Sequence, residues 1–121
     1  MKVHSELGNG FPEINYHRAM IIEMKEQGLK FESEKHIPVF YKNEKVGSRR
    51  ADFFVEEAIM VEIKALSKLD DSNLNQAINH LEAFNLEIGL LINFGAKSLE
   101  FKRVINSKLK PQSNQSNQRN Q

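Results

Sequence analysis

The chain has 121 residues, 40% of them hydrophobic, which suffices for one domain with one modest core and excludes two domains. It contains no cysteine, which excludes disulfides, zinc–thiolate sites and thiol catalysis, and fits a reducing cytoplasm. The net charge is +1, but residues 107–121 hold three basic and no acidic side chains, so residues 1–106 hold 14 basic and 16 acidic ones. Proteins that bind nucleic acid without a metal usually have a basic surplus, which is missing here.

The sequence predicts no membrane-spanning segment and no signal peptide. Residues 1–10 are polar and lack the apolar core of a signal peptide. The longest apolar stretch, Ile88–Phe94, is too short to span a bilayer. The polar repeat Gln112–Gln121 has nothing to bury. We therefore expect a soluble cytoplasmic protein with no membrane partner, a domain over residues 1–106 and a disordered tail over residues 107–121.

The first predicted element is a helix over about residues 12–28. Pro12 suits its first position, and Gly28 suits the position just after its last turn. At 100° per residue, four apolar side chains fall on one stripe, Ile14, Met20, Ile21 and Met24. Glu13 and His17 lie on or beside this stripe, so both are expected to point inward.

Three strands are predicted next, because β-branched and aromatic residues dominate three short segments. These segments are His36–Tyr41, Val46–Val55 and Ala58–Ala65, joined by a hairpin turn at Lys42–Lys45 and a short link at Glu56–Glu57.

A second helix is predicted over about residues 71–86, with Asp70 or Ser72 as its N-cap. Its apolar stripe is Leu74, Ala77, Ile78 and Leu81. The run Ile88–Phe94 predicts a central strand buried on both faces, and Leu99–Ile105 predicts either an edge strand or a helical turn. The order α-β-β-β-α-β predicts an α/β (α+β) fold, with a mixed central sheet flanked by helices.

The pair Glu62 and Lys64 could carry chemistry, because residues two apart in a strand point to the same face. A carboxylate beside an ammonium can bind a hard metal and stabilise what reacts next to it. Alternatively, Glu62 and Lys64 form only a charge pair on a solvated strand face, without a metal. Asp52 on the preceding strand strengthens the metal interpretation, since an aspartate in an apolar run needs a partner. That partner is either a metal shared with Glu62 or a salt bridge to Arg50 or Lys64.

Two helix positions carry weaker signals. An acid in the first turn of a helix, such as Glu13, commonly serves the helix dipole, although Glu13 shares a face with buried methionines. His17 on the same face is more typical of a hydrogen-bonded core histidine than of a metal ligand. Gln76 and His80 lie one turn apart on the face opposite the second helix's apolar stripe, which is typical of a solvated surface.

A resemblance adds to these interpretations. The segment Gly10–Tyr16 resembles the G-x-x-E-x-x-Y signature of the bacterial GxxExxY family, a branch of the PD-(D/E)xK nuclease-like superfamily. The resemblance extends over about residues 3–105 through Arg50–Asp52, Val61–Ala65, Gln76 and Gly89–Gly95. One departure is His80, where relatives often have tyrosine.

The resemblance implies a role for each matched residue. Asp52 and Glu62 would be the metal ligands for Mg²⁺ or Mn²⁺, with the Ile63 carbonyl as a third. Lys64 would orient the attacking water or stabilise charge on the phosphate, Glu13 would hold a water, and Gln76 would be the helix glutamine of exonuclease-like branches.

Two functions from different classes follow. One is a Mg²⁺-dependent nuclease acting on DNA or RNA. The other is a non-catalytic module of the same fold that binds nucleic acid or a protein partner, and the charge of residues 1–106 favours the protein. A 14 kDa nuclease offers little surface for a duplex. This favours a homodimer, although no residue pattern specifies one.

Overall fold

In the computed structural model, which describes residues 1–111, a five-stranded mixed sheet is flanked by helices on its two faces. The three helices are α1 (Lys2–Leu7), α2 (Glu13–Glu26) and α3 (Asp71–Phe84). The five strands are β1 (Phe31–Tyr41), β2 (Glu44–Val55), β3 (Ile59–Lys64), β4 (Ile88–Asn93) and β5 (Glu100–Ile105). Strand order follows chain order, and only β3 and β4 are parallel, with α3 as their crossover. The predicted fold class is confirmed.

Helix α2 ends at its C-terminus as the sequence predicts, but it begins one residue later than predicted. Pro12 is the residue before the first turn, with an extended conformation (φ −63°, ψ 155°) rather than the first helical position itself. After the helix, the Gly28 N–H donates to the Lys25 carbonyl and the Leu29 N–H donates to the Met24 carbonyl. Gly28 has φ +71°, so this is the Schellman arrangement, in which glycine accepts the left-handed conformation without a steric penalty.

The buried face of α2 differs from the predicted stripe at one position. Ile14 is 47% exposed, so its assignment to the core is wrong. Tyr16 is fully buried instead, stacked on Phe94 with ring centroids 4.8 Å apart, and its hydroxyl donates to the Gly8 carbonyl at 2.7 Å. A large aromatic ring with a bonded hydroxyl removes more apolar surface from water than isoleucine at this position, and it sets the rotation of the helix.

Helix α1 is not predicted by the sequence, because six residues are too few for a periodic pattern to stand out. Its Val3 is buried in the core. Its His4 Nε2 lies 3.0 Å from the Ala96 carbonyl oxygen and donates to it, which ties the helix to the segment after β4. These two contacts explain how so short a helix is held.

The core has one apolar cluster on each face of the sheet. The cluster on the α1–α2 face consists of Val3, Tyr16, Met20, Met24, Phe53, Val61, Ile63, Ile92 and Phe94. The cluster on the α3 face consists of Ala51, Met60, Leu69, Ala77, Leu81, Phe84, Leu91 and Val104. Alternation along β3 therefore sends Val61 and Ile63 to one face, as predicted, and Glu62 to the face that α3 covers.

Strands β1 and β2 are longer than predicted and form a hairpin that runs past the rest of the sheet. Their turn is two residues, Lys42 and Asn43, both in the left-handed region (φ +49° and +66°), as a type I′ hairpin turn requires. Only three residues of β2, Phe53 to Val55, pair with β3. We call residues 35–51, the part of the hairpin beyond this pairing, the arm.

Asn93 at the end of β4 holds the loop that follows β3. It is fully buried. Its Oδ1 accepts from the N–H groups of Leu66 (2.8 Å) and Gly95 (3.1 Å). Its Nδ2 donates to the Leu66 carbonyl (2.8 Å) and to Glu100 Oε1 (2.9 Å). Gly95 itself crosses so close to this loop that an added Cβ would lie 2.5 Å from backbone atoms of Ala65 and Leu66.

The structure decides between two alternatives that the sequence left open, the N-cap of α3 and the conformation of Leu99–Ile105. Asp70, not Ser72, is the N-cap of α3, and it forms a capping box with Asn73. The segment after Leu99 is an edge strand.

The start of the predicted tail also makes contacts. The Lys110 N–H donates to Asn85 Oδ1 at 2.9 Å, and the Lys110 carbonyl accepts from Asn85 Nδ2 at 3.1 Å. The rest of the predicted tail, residues 112–121, lies outside the described residues. In the part of the chain described, no helix is both long and apolar enough to cross a membrane.

Candidate metal-dependent active site

Asp52 lies where β2 separates from β3. The last residue pair between the two strands is Phe53 with Val61. Asp52 immediately precedes Phe53 on β2, and its Oδ2 accepts a hydrogen bond of 2.8 Å from the N–H of Ile63. The carboxylate therefore lies against the peptide that joins Glu62 to Ile63, and its side chain is only 13% exposed. This contact brings Asp52 next to the Glu62–Lys64 segment, as the predicted site requires.

Glu34 on β1 explains how Asp52 can turn this way. It lies between the pairs Ser33–Phe53 and Lys35–Ala51, at the level of Asp52, and has φ +55°. The sheet changes face here, because Phe53 packs against α2 whereas Ala51 packs against α3. A non-glycine residue in the left-handed region is uncommon and tends to occur at functional sites.

Arg50 joins Glu34 to Asp52 electrostatically. Its guanidinium lies 3.6 Å from Glu34 Oε2 and 3.8 Å from Asp52 Oδ1. The salt bridge between Arg50 and Asp52 that the sequence offered as an alternative to a metal is thus present, but it is long and half exposed. Such a pair contributes little to stability, and it leaves the Asp52 carboxylate free to take another partner.

Glu62 is bound by His80, which the helix pattern assigned to a solvated surface. His80 Nδ1 lies 2.5 Å from Glu62 Oε2, and the two side chains are 16% and 10% exposed. The solvated-surface interpretation of His80 is therefore wrong. Its position, four residues after Gln76 on the helix that covers Glu62, was the available signal.

Lys64 and Gln76 also meet on the α3 face. Lys64 Nζ donates to Gln76 Oε1 across 3.4 Å. Glu62 and Lys64 thus share a face of β3, as the two-residue spacing predicts. The helix face that carries Gln76 and His80 lies over them and supplies one polar contact to each.

Glu13 belongs to the same electrostatic neighbourhood. Partial burial of its carboxyl raises the pKa of Glu13, and the negative charge of Asp52 raises it further. The positive charges of Lys64, Arg50 and His17 act in the opposite direction. Glu13 is an exposed residue of the first turn of α2, so the expectation that it points inward is wrong. Asp52 and Lys64 nevertheless lie near enough to influence its protonation.

His17 is a core histidine, as its sequence context favours. Its ring stacks on Phe53 with centroids 4.4 Å apart, and Nε2 lies 3.0 Å from Ser33 Oγ. Both contacts hold α2 against the hairpin.

The residues fit a hard divalent cation such as Mg²⁺ in their chemistry. Residues 1–111 contain no group of three or more histidine and carboxylate side chains placed to hold a metal together. Mg²⁺ does not need one, because it usually takes one or two carboxylates and completes its shell with waters and substrate phosphates. Asp52 and Glu62 are two such carboxylates, both largely shielded from solvent, and their assignment as ligands stays a prediction.

Comparisons with known proteins agree with this architecture. The crystal structure of a protein designated SSO0001 superposes with a TM-score of 0.62 at 17% sequence identity, over 78% of this chain and 50% of that one. The chain thus spans about half the length of that structure, and the likeness concerns the fold. No curated protein matches the chain. A family model described as the PD-(D/E)XK nuclease superfamily matches residues 1–104, a range that includes Asp52, Glu62 and Lys64. The chain therefore belongs to the PD-(D/E)XK nuclease superfamily.

Proposed function

We propose that the protein is a nuclease that hydrolyses phosphodiester bonds in DNA or RNA with Mg²⁺ or Mn²⁺. The observation that carries the proposal is the Asp52 carboxylate, held 2.8 Å from the N–H of the peptide that joins Glu62 to Ile63. Within the GxxExxY branch of the superfamily, which we also propose for this chain, the protein would act in the bacterial cytoplasm. A chain without cysteine fits such a reducing compartment.

The proposed metal ligands are Asp52, Glu62 and the Ile63 carbonyl. A bound divalent cation supplies two things in such chemistry, a lowered pKa for water and a polarised phosphate. The protein's part is to hold the ligands in place. The Ile63 N–H fixes Asp52, and His80 fixes Glu62. Partners of this kind orient ligand carboxylates and commonly change metal affinity or activity by about 10–100-fold when removed.

Lys64 and Glu13 act on the substrate side of the proposed site. Lys64 is the cation placed to stabilise negative charge that develops on the phosphate, and Gln76 keeps its ammonium on the α3 face. Glu13 takes up a proton more readily than an ordinary glutamate, because burial and Asp52 disfavour its charge. It can therefore hold a water and accept a proton from it.

A non-catalytic binding module is the second candidate, and one observation favours it. Each carboxylate of the proposed pair already has a protein partner, Asp52 at Ile63 and Glu62 at His80. If those contacts satisfy the two groups fully, the fold has kept its polar network without metal chemistry. Metal binding and cleavage must therefore be measured separately.

The test is a cleavage assay on single-stranded DNA, duplex DNA and RNA, with Mg²⁺, Mn²⁺ or EDTA. We expect metal-dependent cleavage that Asp52→Asn and Glu62→Gln each abolish, because each removes a negative ligand at nearly constant volume. Lys64→Ala should lower the rate about 100-fold, the usual effect of removing one charge-stabilising donor, while metal binding persists.

Glu26→Gln is the matched control, since it makes the same chemical change on an exposed residue of α2. It should cleave like the wild type. A thermal shift with millimolar Mg²⁺ reports metal binding independently of cleavage. A wild type that binds Mg²⁺ but cleaves no substrate faster than Glu62→Gln contradicts the nuclease and supports the binding module.

A further inference from the structure

The arm concentrates positive charge. Its 17 residues hold five basic side chains and one acidic one, for a net charge of +4, whereas the rest of the chain holds 12 basic and 15 acidic ones, for a net charge of −3. The basic residues of the arm are Lys35, Lys42, Lys45, Arg49 and Arg50. The basic surplus missing from the chain as a whole is therefore present in this one segment.

The arm is a two-stranded ribbon with large exposed apolar groups near its tip. From Lys35 to Tyr41 it extends about 20 Å, at about 3.4 Å per residue. Phe40, Tyr41 and Val46 are each more than 60% exposed. The part beyond Ile37, whose side chain packs against the cluster on the α3 face, extends about 14 Å and spans about four base pairs of DNA at about 3.4 Å each.

The basic side chains project from both faces of the ribbon, one of which is covered near its base where Ile37 and Ala51 pack against the cluster on the α3 face. Lys35 pairs with Ala51, Ile37 pairs with Arg49 and His36 pairs with Arg50. Because successive residues of a strand point to opposite faces, Arg49 and Arg50 lie on different faces. A ligand that surrounds the ribbon with negative charge on two sides matches this distribution.

The arm is continuous with the candidate active site. Arg50 is the last basic residue before Asp52 on the same strand, and it lies 3.8 Å from the Asp52 carboxylate. The residue pairing of β2 with β3 begins only at Phe53, so the arm projects from the edge of the site itself. Whatever the arm holds is thereby placed beside Asp52.

We propose that the arm binds double-stranded DNA by lying in the major groove, and that it delivers the duplex to the cleft at Asp52. This rests on the proposed nuclease function for the identity of the polyanion. The major groove of B-form DNA is wide enough for a two-stranded β-ribbon, and its two walls are phosphate backbones. The major groove of A-form RNA is too narrow for one. A second copy of the arm is disfavoured, because two segments of net charge +4 repel each other.

Lys42 and Lys45 contact phosphates from the tip of the ribbon, and the exposed faces of Phe40 and Tyr41 lie against the edges of bases. Lys42 Nζ already lies 5.5 Å from the centroid of the Tyr41 ring, so the tip carries charge and apolar surface side by side. Phosphate contacts set affinity and its salt dependence, whereas contacts to base edges set preference among sequences.

The test measures binding of a fluorescein-labelled duplex of about 20 base pairs by anisotropy in EDTA, over a range of salt concentrations. The arm variant is Lys42→Ala with Lys45→Ala. The matched control, Lys102→Ala with Lys110→Ala, removes the same charge from exposed residues on or beyond β5, at the opposite edge of the sheet. The arm variant should lower the slope of log K against log[salt] by about 1.8, at about 0.9 per phosphate contact. The control should keep the wild-type slope and affinity.

A slope and affinity unchanged in the arm variant overturn the proposal, as do equal losses in both variants, which would indicate bulk charge alone. Tighter binding to a single strand of the same length overturns the groove geometry. A dimer that Phe40→Ser with Tyr41→Ser dissociates overturns it in favour of contact between copies. Unchanged melting temperatures confirm that the lysine variants fold.

Binding and cleavage separate this proposal from the proposed function. Arm-dependent duplex binding without metal-dependent cleavage supports the arm and contradicts the nuclease. Metal-dependent cleavage with duplex binding that does not depend on the arm supports the nuclease and contradicts the role of the arm.

Discussion

Asn93→Asp is a sharp test of how the end of β4 is held together. The substitution changes one NH₂ group to an oxygen at nearly constant volume, in a side chain that is fully buried. The two bonds accepted by Oδ1 can persist. The two bonds donated by Nδ2, to the Leu66 carbonyl at 2.8 Å and to Glu100 Oε1 at 2.9 Å, cannot. The new oxygen instead faces two acceptors, one of them a carboxylate.

The size of the effect follows from these contacts. The bond to the Leu66 carbonyl is neutral and contributes about 1 kcal/mol, and the bond to ionised Glu100 is charge-assisted and stronger. Repulsion between two carboxylates adds to this loss. We therefore expect Asn93→Asp to lower the free energy of unfolding by about 3–5 kcal/mol at pH 7, a large part of the total for a domain of this size.

Urea and thermal unfolding at several pH values measure the effect. At about 4 °C per kcal/mol, the melting temperature should fall by at least about 12 °C at pH 7. The difference from wild type should shrink as pH falls, because the carboxyl introduced by the substitution regains one donor when it is protonated. The wild type itself loses stability at low pH, since hydrogen bonds from Asn93 and Leu69 hold the pKa of Glu100 below its ordinary value.

Asn43→Asp is the matched control for this variant. Asn43 is exposed in the hairpin turn at φ +66°, a conformation that aspartate also tolerates. It should change the free energy of unfolding by no more than about 0.5 kcal/mol. An Asn93→Asp protein within about 1 kcal/mol of wild type at pH 7 would refute the energetic importance of the four-bond arrangement.

Three further variants test other parts of the structure. Because the pKa of Glu13 is raised, the native state binds its proton more tightly than the unfolded chain, so stability falls as pH rises past the ordinary glutamate pKa. Glu13→Gln should therefore raise the melting temperature at pH 7–8 and lose this advantage near pH 4. Gly95→Ala should cost about 2–4 kcal/mol in urea unfolding because its Cβ meets backbone atoms, whereas Gly47→Ala, with nothing within 4 Å, should be tolerated. His80→Phe should lower metal-dependent kcat/KM about 10–100-fold, because the Glu62 carboxylate loses its hydrogen bond to residue 80. His80→Tyr keeps a hydroxyl donor and should retain the wild-type value. Equal activity in the two variants would contradict this role of His80.

Much of the fold could be predicted from local patterns. The α3 crossover and the parallel β3–β4 pair follow from an apolar strand, a periodic helix and a second apolar strand. The features of β1 and α2 that the sequence did not predict also have local causes. The first half of β1 escapes prediction because Glu32, Ser33 and Glu34 lie in a largely exposed part of the hairpin and supply no apolar alternation. The assignment of Ile14 to the core fails because the predicted stripe counts aliphatic residues only. It leaves out Tyr16, whose larger apolar surface is buried instead.

The candidate site was predictable only in part. The sequence identifies three charged residues in apolar strands, Asp52, Glu62 and Lys64. A charge in such a strand is costly unless it has a partner. The contact between His80 and Glu62 depends on how α3 is rotated over the sheet, which helix periodicity alone leaves open. The left-handed conformation of Glu34 has no signal in residue type, since glutamate rarely adopts it. It exists because the surrounding strands hold it.

The agreement between strand order and chain order bears on how the protein folds. Each strand pairs with its neighbour in the sequence, so no pairing within the sheet skips a strand. The β1–β2 hairpin closes through a two-residue turn, and among the strand pairs the β3–α3–β4 crossover closes the longest connection. The entropy of loop closure is the main kinetic obstacle for sheets. The folding barrier should therefore lie in that crossover unit. Substitutions that weaken the contact of Leu81 or Leu91 with their cluster should slow folding, while substitutions at the tip of the arm should leave the folding rate unchanged.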